Sequence, residues 1–367
     1  MQFDTIIRGG TVHTAADSGP RDIAIRDGII AAVGAAGAFD SAKAGETIDA
    51  SGLEVIPGVI DVHVHLEMPF CGTVSCDDWV YGTRAAAAGG VTTLLDFAIP
   101  AKGQSLADAH AAWMAKADGR SLIDFGWHMA ITDDRHIAEI PAMVAKGLPT
   151  FKEFMIYESE GWRSDDARMY STLEAVREHN AMLLVHAESS VVLNELIRRH
   201  HTPEQMRRHG ARLHATTRPN FIEAEAIERA IHWSEVTGGR LYIVHMSTGE
   251  GADIVATAQE RGVPVIAETC VQYLVLDDSV FGRTDGHLFA CCPQVKKPAD
   301  IERLWGGLGA EVSVVSTDTC SFTREQKGMW MTPEGYGDFT KLPMGLPGLE
   351  TLLPLMFTLG VQRGRID

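Results

Sequence analysis

Two histidines at alternate positions give the strongest chemical signal in the sequence. His63 and His65 stand in the stretch Asp61-Val62-His63-Val64-His65, directly after the apolar run 55–60. Alternate residues of a β-strand point to the same side of a sheet, so the two imidazoles would face the same way. Imidazole is a common ligand for zinc and related metal ions. The pair therefore indicates part of a metal site, with two chance histidines at the edge of a sheet as the alternative.

Four more polar residues stand at or near the ends of apolar segments. Lys152 lies within TFKEF, His186 ends MLLVH, His245 ends LYIVH and Asp318 ends VSVVSTD. If these segments are parallel strands of a barrel, their carboxyl ends meet at the rim where barrel enzymes assemble their active sites. A single histidine of this kind is more often a hydrogen-bonded core residue. Six such polar residues at one rim instead predict a metal centre.

The lysine suggests how two metal ions could be held together. Burying the ammonium group of Lys152 among apolar neighbours is costly, and a protonated amine cannot bind a metal ion. A neutral amine can react with carbon dioxide to form a carbamate, an anionic ligand able to bridge two Zn²⁺-like ions. A hydroxide shared by those ions would be nucleophilic near neutral pH, and Asp318 would move its proton to a leaving nitrogen. The alternative for Lys152 is a salt bridge to Glu153 or Glu158.

The elements that would position these residues alternate along the chain from residue 55 onward. Strands are predicted at 55–63 (interrupted by Pro57-Gly58), 93–97, 124–130, 150–154, 182–186, 241–245, 264–268 and 313–317. Helices are predicted where apolar residues recur every three or four positions, at 77–88, 106–117, 135–145, 166–179, 223–236, 252–260 and 301–308. Short apolar strands that alternate with helices predict an α/β fold with a closed (β/α)8 barrel.

Residues 1–54 follow a different pattern. Four short β segments, at 3–8, 22–26, 29–33 and 46–49, are separated by glycine-containing turns. They predict the N-terminal part of a small β-sandwich subdomain. We therefore divide the chain into a β-rich subdomain, 1–54, and a catalytic barrel, 55–367. The other sandwich strands are expected in a C-terminal part that this sequence lacks.

Composition excludes several classes of function. The formal net charge is −17, because 49 acidic residues outnumber 32 lysines and arginines. This balance argues against a nucleic-acid binder or a protein that docks on anionic lipid. No apolar run approaches the roughly 20 residues of a membrane span, and six cysteines are too few for a disulfide scaffold. We expect a cytoplasmic protein. The stretch 200–214 holds four histidines among arginines and is interpreted as a solvated helix rather than a metal site.

Several stretches of the sequence resemble one known family. They are GLEVIPGVIDVHVHLEMPFCG, AAAAGGVTTLLDFA, FKEFMIYE, LLVHAES, RPNFIEAEAIERAI, LYIVHMS, AETCVQYLVLD and DFTKLPMGLPG. They span most of the chain from about residue 50. They resemble the amidohydrolase superfamily and, within it, the cyclic amidases of the dihydropyrimidinase and hydantoinase type.

The resemblance implies a role for each candidate residue. His63 and His65 would bind one metal ion, His186 and His245 the other, and carbamylated Lys152 would bridge both. Asp318 would be a metal ligand and the general acid and base. Tyr157, in FMIYE, would donate a hydrogen bond to the oxyanion of the tetrahedral intermediate. Cys292 and Met344 would contact the ring amide of the substrate, largely through backbone groups.

The resemblance implies a hydrolase that opens a 5,6-dihydropyrimidine or hydantoin ring to an N-carbamoyl amino acid, and a homotetramer. Allantoinases, dihydroorotases and cyclic-imide hydrolases share the metal site and are alternatives. A non-catalytic scaffold protein of the same family is an alternative of another class.

Four positions depart from the family pattern. Thr319 stands where the family usually has histidine, and Ser321 where it has proline, in the stretch STDTCSF. Relatives often have serine at Cys292 and asparagine at Met344. These changes bear on the substrate more than on the chemistry.

Overall fold

The computed structural model describes residues 2–366. The chain forms two compact units that divide between Val59 and Ile60. Among residues 2–366, no helix is both long and apolar enough to cross a membrane.

The first unit is built on one β-sheet. Its strands are β1 (Gln2–His13), β2 (Ser18–Arg26), β3 (Ile29–Ala35), β4 (Lys43–Asp49) and β5 (Glu54–Val55). The order is β3-β2-β1-β4, and β5 also pairs with β1. Strands β1, β2 and β3 are antiparallel neighbours, whereas β4 and β5 run parallel to β1. Glu54 and Val55, on either side of the boundary expected from the sequence, thus both pair with this sheet.

The second unit contains the barrel. Its strands are β6 (Val59–Val64), β9 (Val91–Ala98), β10 (Asp124–Ala130), β11 (Thr150–Phe154), β12 (Met182–His186), β13 (Leu241–Ile243), β14 (Val265–Cys270) and β15 (Val312–Ser316). They follow one another in sequence order, and the ladders from β9 to β15 are parallel. A small antiparallel hairpin, β7 (Pro69–Phe70) with β8 (Thr73–Val74), follows the first barrel strand. The (β/α)8 architecture is confirmed.

Helices follow the barrel strands and cover them. They are α1 (Tyr81–Ala88), α2 (Leu106–Ala117), α3 (Ile140–Ala145), α4 (Asp166–Glu178), α5 (Ser190–His200), α6 (Pro203–His209), α7 (Arg212–Thr216), α8 (Phe221–Thr237), α9 (Gly249–Glu260), α10 (Pro298–Gly307), α11 (Arg324–Gly328) and α12 (Leu352–Leu355). Short 3₁₀ turns lie at Asp134–Glu139, Val271–Leu274, Asp278–Gly282, Gly286–Phe289 and Phe339–Lys341, and one π-helical turn at Met356–Val361. Strand residues such as Leu94, Phe151 and Leu183 are fully buried, as expected for strands covered on both faces.

The structure corrects four predicted boundaries. The strand expected at 55–63 is divided into β5 and β6, because Pro57 has no amide hydrogen for a ladder. The strand expected at 241–245 ends at Ile243. The helix expected at 135–145 is a 3₁₀ turn followed by α3, and the helix expected at 77–88 begins at Tyr81. Asp78 precedes that helix and accepts hydrogen bonds from the amides of Val80 and Tyr81.

Asp61 connects the first barrel strand to the last. Its carboxylate accepts hydrogen bonds from the Thr317 hydroxyl (2.6 Å), the Thr317 amide (3.2 Å) and the His63 amide (3.3 Å). Beyond this contact, the His65 amide donates to the Thr319 carbonyl at 2.7 Å. Burial raises the pKa of Asp61 to about 7. The Asp61 side chain and a backbone bridge between Val64 and Thr319 thus together close the barrel.

Replacing Asp61 with alanine would leave three buried donors, on Thr317 and His63, without their acceptor. Each unsatisfied buried group costs about 1–3 kcal/mol, so we expect Asp61→Ala to lower the free energy of unfolding by about 3 kcal/mol. Denaturant titration of the metal-free protein measures it. The control is Asp118→Ala, an exposed aspartate expected to change stability by less than about 0.5 kcal/mol. Equal stability of the two variants would contradict the closing role of Asp61.

Candidate metal centre and active-site cavity

The candidate site residues predicted from the sequence meet at one cavity at the carboxyl ends of the barrel strands. Eight of the nine residues line it: His65, Lys152, Tyr157, His186, His245, Cys292, Asp318 and Met344. The ninth, His63, is fully buried, with its ring centroid 5.2 Å from those of both His65 and His245. Folding therefore brings together residues that are up to 281 positions apart, from His63 to Met344.

One half of the cluster is formed by His63, His65 and Asp318. The Nε2 atoms of both histidines lie 3.3 Å from Asp318 Oδ1. One potential ligand atom from each residue falls within 4.8 Å of the others. This arrangement of two imidazoles and one carboxylate is suited to a divalent ion.

The orientation of the His63 ring is fixed by a hydrogen bond between its Nδ1 and the buried carboxylate of Glu268. Glu268 Oε1 lies 2.8 Å from His63 Nδ1, so that nitrogen carries the hydrogen and Nε2 is free as a lone-pair donor towards Asp318. The other oxygen of Glu268 accepts from the Tyr242 hydroxyl, and Oε1 also accepts from the His245 amide. Glu268 thus orients His63 and anchors the backbone of His245 at the same time.

The other half of the cluster is formed by His186 and His245. Their ring centroids are 4.5 Å apart, and both side chains are buried. His186 Nε2 lies 2.9 Å from Glu188 Oε2. Burial lowers the pKa of both histidines and of His63, so the three imidazoles are neutral near pH 7.

Lys152 reaches from β11 into the cavity that His65, His186 and His245 also line. Only 1% of the residue is exposed, and Nζ lies 4.8 Å and 5.2 Å from the ring centroids of Phe97 and Phe154. Burial lowers the pKa of its amine to about 8. The alternative of a salt bridge is wrong, because Glu153 accepts from Thr172 while Glu158 accepts from Asn194.

Three site residues have a positive φ angle, which is uncommon outside glycine. The values are +70° at Tyr157, +38° at His245 and +49° at Asp318. Each follows a barrel strand, at the point where the chain turns away from the sheet. Such conformations concentrate at functional sites because the surrounding structure must hold them. At His245 the turn also explains why β13 ends earlier than predicted.

Tyr157 stands in an aromatic wall of the cavity. Its ring centroid is 5.2 Å from that of Phe70, 5.9 Å from that of Trp162 and 5.1 Å from that of His186. Burial is the main cause that raises the pKa of Tyr157 well above its usual value. The side chain is therefore a neutral phenol near pH 7 and can donate a hydrogen bond into the cavity.

The two predicted substrate contacts and the departures from the family pattern are also at the rim. Cys292 Sγ donates to Glu188 Oε2 at 2.8 Å, and Met344 Sδ lies 3.9 Å from Arg218 Nη2. Thr319 takes part in barrel closure through its carbonyl oxygen, while its buried hydroxyl has no partner among residues 2–366.

The structure also changes the interpretation of the histidine-containing stretch 200–214. It is divided among the end of α5, helix α6 and the start of α7, rather than forming one solvated helix. His214 is buried, and its Nε2 lies 2.8 Å from the Cys291 carbonyl oxygen. A hydrogen-bonded core histidine is the structural role of this residue.

Comparison with known proteins gives one consistent answer. The amidohydrolase family model matches residues 55–269. A D-hydantoinase of Streptomyces coelicolor is 39% identical over 97% of this chain and 76% of its own length. A D-phenylhydantoinase of Escherichia coli is 35% identical over 99% and 77%. The crystal structure of dihydropyrimidinase from Brevibacillus agri superposes with a TM-score of 0.92 and 36% identity, covering 99% of this chain and 78% of that one.

The chain belongs to the amidohydrolase family.

This family implies a binuclear metal site, and the residues of this amidohydrolase fit one. His63 Nε2, His65 Nδ1 and His245 Nδ1 are buried nitrogens that have no hydrogen-bond partner among residues 2–366. Buried polar atoms are almost always paired, so the orphaned Nε2 of His63, which lies 3.3 Å from Asp318 Oδ1, is the kind of nitrogen expected beside a bound ion. Lys152 adds a buried amine with no carboxylate oxygen of the described chain within salt-bridge distance.

The sequence analysis missed three residues of this amidohydrolase site: Glu188, Arg218 and Glu268. Glu268 meets the criterion that identified His186 and His245, since it is a polar residue near the end of an apolar strand. Glu188 lies two residues beyond β12, and Arg218 lies in a connection before α8. For these two, no spacing rule would have indicated the site.

His65→Asn tests the metal site directly. The amide side chain is too short to reproduce the reach of an imidazole, so we expect the purified variant to lose at least one metal ion per chain. His136→Asn is the matched control, because His136 is equally buried but bonds the Gln104 carbonyl at 2.9 Å. Metal content by inductively coupled plasma analysis gives the answer. If the two variants hold equal amounts of metal, His65 is not a ligand.

Proposed function

We propose that this amidohydrolase hydrolyses a C–N bond of a cyclic amide or ureide. The substrate would be a hydantoin or a 5,6-dihydropyrimidine, and the product an N-carbamoyl amino acid. Three relatives are named D-hydantoinase, D-phenylhydantoinase and dihydropyrimidinase. The observation that carries the proposal is the meeting of four histidines, a buried lysine and an aspartate at one cavity.

The proposed metal ligands divide between two ions, most suitably Zn²⁺. His63 and His65 would hold one ion, His186 and His245 the other, and Asp318 would be a further ligand. Lys152 would bridge them as a carbamate, for which its buried amine with a pKa of about 8 is suited, since only the neutral amine reacts with carbon dioxide. When bound, the two ions would supply activated water at neutral pH and polarise the ring carbonyl.

Tyr157 would act on the ring carbonyl from the aromatic wall of the cavity. Its phenol keeps its proton near pH 7, so it can donate to the carbonyl oxygen as negative charge develops there. The positive φ at this residue aims its backbone away from β11, and the neighbouring rings of Phe70 and Trp162 restrict its side chain. A donor held in place before the reaction loses little energy to reorganisation.

Asp318 would carry the proton. Its carboxylate faces the Nε2 atoms of His63 and His65 and also lines the cavity. From this position it can accept a proton from the attacking water and return it to the ring nitrogen as the C–N bond breaks. The ring then opens, and the released nitrogen becomes part of the carbamoyl group.

The alternative activities receive less support. Allantoinase, dihydroorotase and cyclic-imide hydrolase would use the same metal site, but the three relatives described above carry hydantoinase or dihydropyrimidinase names. A non-catalytic scaffold has no need of an intact cluster of ligands, and this chain retains all six candidate ligands, five lining one cavity and His63 packed beside His65.

We also propose a homotetramer that resides in the cytoplasm. The tetramer follows from the family resemblance. All six cysteines are free thiols, as is usual for proteins of a reducing compartment. Light scattering of the purified protein would establish the number of chains in the assembly.

The activity is tested with hydantoin and dihydrouracil, supplied with zinc and bicarbonate, by the loss of amide absorbance. We expect turnover of at least one ring, and Asp318→Asn should lower kcat by about 10³-fold because general acid–base catalysis is lost. Asp253→Asn, on the exposed face of α9, is the control and should keep full activity. Failure to open either ring in protein shown to hold two metal ions would contradict the proposed substrates.

The bridging role of Lys152 is tested by Lys152→Ala. We expect this variant to lose metal and activity, and both to return in part when acetate or propionate is added, because a small carboxylate can occupy the space of the carbamate. Lys146→Ala, an exposed lysine, should change neither property. Full metal content and activity of Lys152→Ala without added acid would show that no bridge is formed by this residue.

A further inference from the structure

Glu188 occupies a central position beside the cavity. Its Oε2 atom accepts hydrogen bonds from His186 Nε2 (2.9 Å) and from the thiol of Cys292 (2.8 Å). Its Oε1 atom faces Arg218 Nε at 3.6 Å. The side chain of Glu188 is 1% exposed, so water cannot replace these partners. One carboxylate therefore orients a predicted metal ligand and a cavity-lining thiol together.

The thiol continues the connection towards the cavity. The side chain of Tyr157 packs against the apolar cluster that contains Cys292. Ile156, next in sequence to Tyr157, packs in one apolar cluster with Cys292. The four side chains thus form a chain of contacts in the order Tyr157, Cys292, Glu188, His186.

The direction of each hydrogen bond in this chain is determined by charge. Glu188 lies beside the buried guanidinium of Arg218, and the two side chains form a buried ion pair in which Glu188 is the carboxylate. An ionised carboxylate can only accept hydrogen bonds. His186 must therefore carry its hydrogen on Nε2, which leaves Nδ1 as the lone-pair donor for a metal ion. Cys292 must donate its only hydrogen to Glu188, which leaves its sulphur free to accept from Tyr157.

We propose that Glu188 is a positioning residue that couples the metal ligand His186 to the oxyanion donor Tyr157, with Cys292 as the connecting group. This inference rests on the proposed function for the role of Tyr157. It does not depend on which ring is opened. Two effects follow, one on metal retention through His186 and one on turnover through Tyr157, and they can be measured separately.

Glu188→Gln tests the effect of Glu188 on metal retention through His186. The amide of glutamine has one acceptor oxygen and one NH₂ group. Its NH₂ group would therefore point at a donor, either Arg218 or the pair His186 and Cys292, and one of these contacts would be lost. We expect the variant to lose one metal ion about tenfold faster to a chelator than the wild type does, since mutation of such outer-shell partners typically costs 10–100-fold in metal affinity. The visible spectrum of the Co²⁺-substituted protein should change as well. Glu311→Gln is the matched control, because Glu311 is a buried carboxylate paired with Arg303.

Cys292 variants test the effect of Glu188 and Cys292 on turnover through Tyr157. These substitutions do not remove a charge. We expect Cys292→Ala to lower kcat about tenfold while metal content stays at the wild-type level, a loss within the range for weakened oxyanion contacts. Cys292→Ser, which keeps a donor to Glu188 and an acceptor for Tyr157, should restore kcat. In a Tyr157→Phe background, Cys292→Ala should cost less than about twofold, because the partner it positions is already absent.

Distinct results would overturn the inference. Unchanged metal release and an unchanged cobalt spectrum in Glu188→Gln would show that Glu188 does not position His186 for the metal. An equal loss of kcat from Cys292→Ala with and without the Tyr157 hydroxyl would show that Cys292 does not position Tyr157. Failure of the proposed function has another signature, because the wild type would then open no ring while Glu188→Gln still lost its metal more readily.

Discussion

The site depends on the contact that closes the barrel. His63 and His65 are on the first barrel strand and Asp318 follows the last, so these residues meet only if β6 and β15 lie side by side. Their connection is short: Asp61 accepts from Thr317, and the His65 amide donates to the Thr319 carbonyl. The same few residues therefore close the fold and set the distance between the first two ligands and the carboxylate. An error in the register of either strand would remove the site without removing the barrel.

Closure of the barrel buries imidazole nitrogens that have no hydrogen-bond partner among residues 2–366. Burial keeps His63, His186 and His245 neutral, and their rings lie side by side at the cavity that Lys152 also lines. Carboxylates outside the cluster, Glu268 behind His63 and Glu188 behind His186, accept the hydrogens on the far side of two rings. Each ring is thereby turned so that its unprotonated nitrogen is available to the cavity. This is a costly arrangement for the isolated chain, and it becomes favourable once cations occupy the centre.

The sequence predicts the barrel and the first layer of the site because both are encoded locally. An apolar segment that ends in histidine, such as MLLVH, defines a buried strand and also places the side chain at its rim. The outer carboxylates are encoded differently. Glu188 acts across 104 positions on Cys292, and Glu268 acts across 205 positions on His63. Partners at such separations are determined by which strands become neighbours. The early end of β13 was missed for a related reason, since the positive φ of His245 is stabilised by the bond from its amide to Glu268.

The departures from the family pattern differ in consequence according to which atoms make the contacts. Thr319 replaces a histidine, but it joins β6 through its backbone carbonyl, and a backbone contact is preserved whatever the side chain. Cys292 stands where relatives often have serine, and here the side chain itself makes the contacts, a hydrogen bond to Glu188 and packing against Tyr157. A thiol is a weaker donor and acceptor than a hydroxyl. A thiol at position 292 is therefore expected to weaken the proposed link between His186 and Tyr157, whereas threonine at position 319 leaves barrel closure intact. Variation at side-chain contacts of this kind can adjust catalysis without changing the candidate metal ligands.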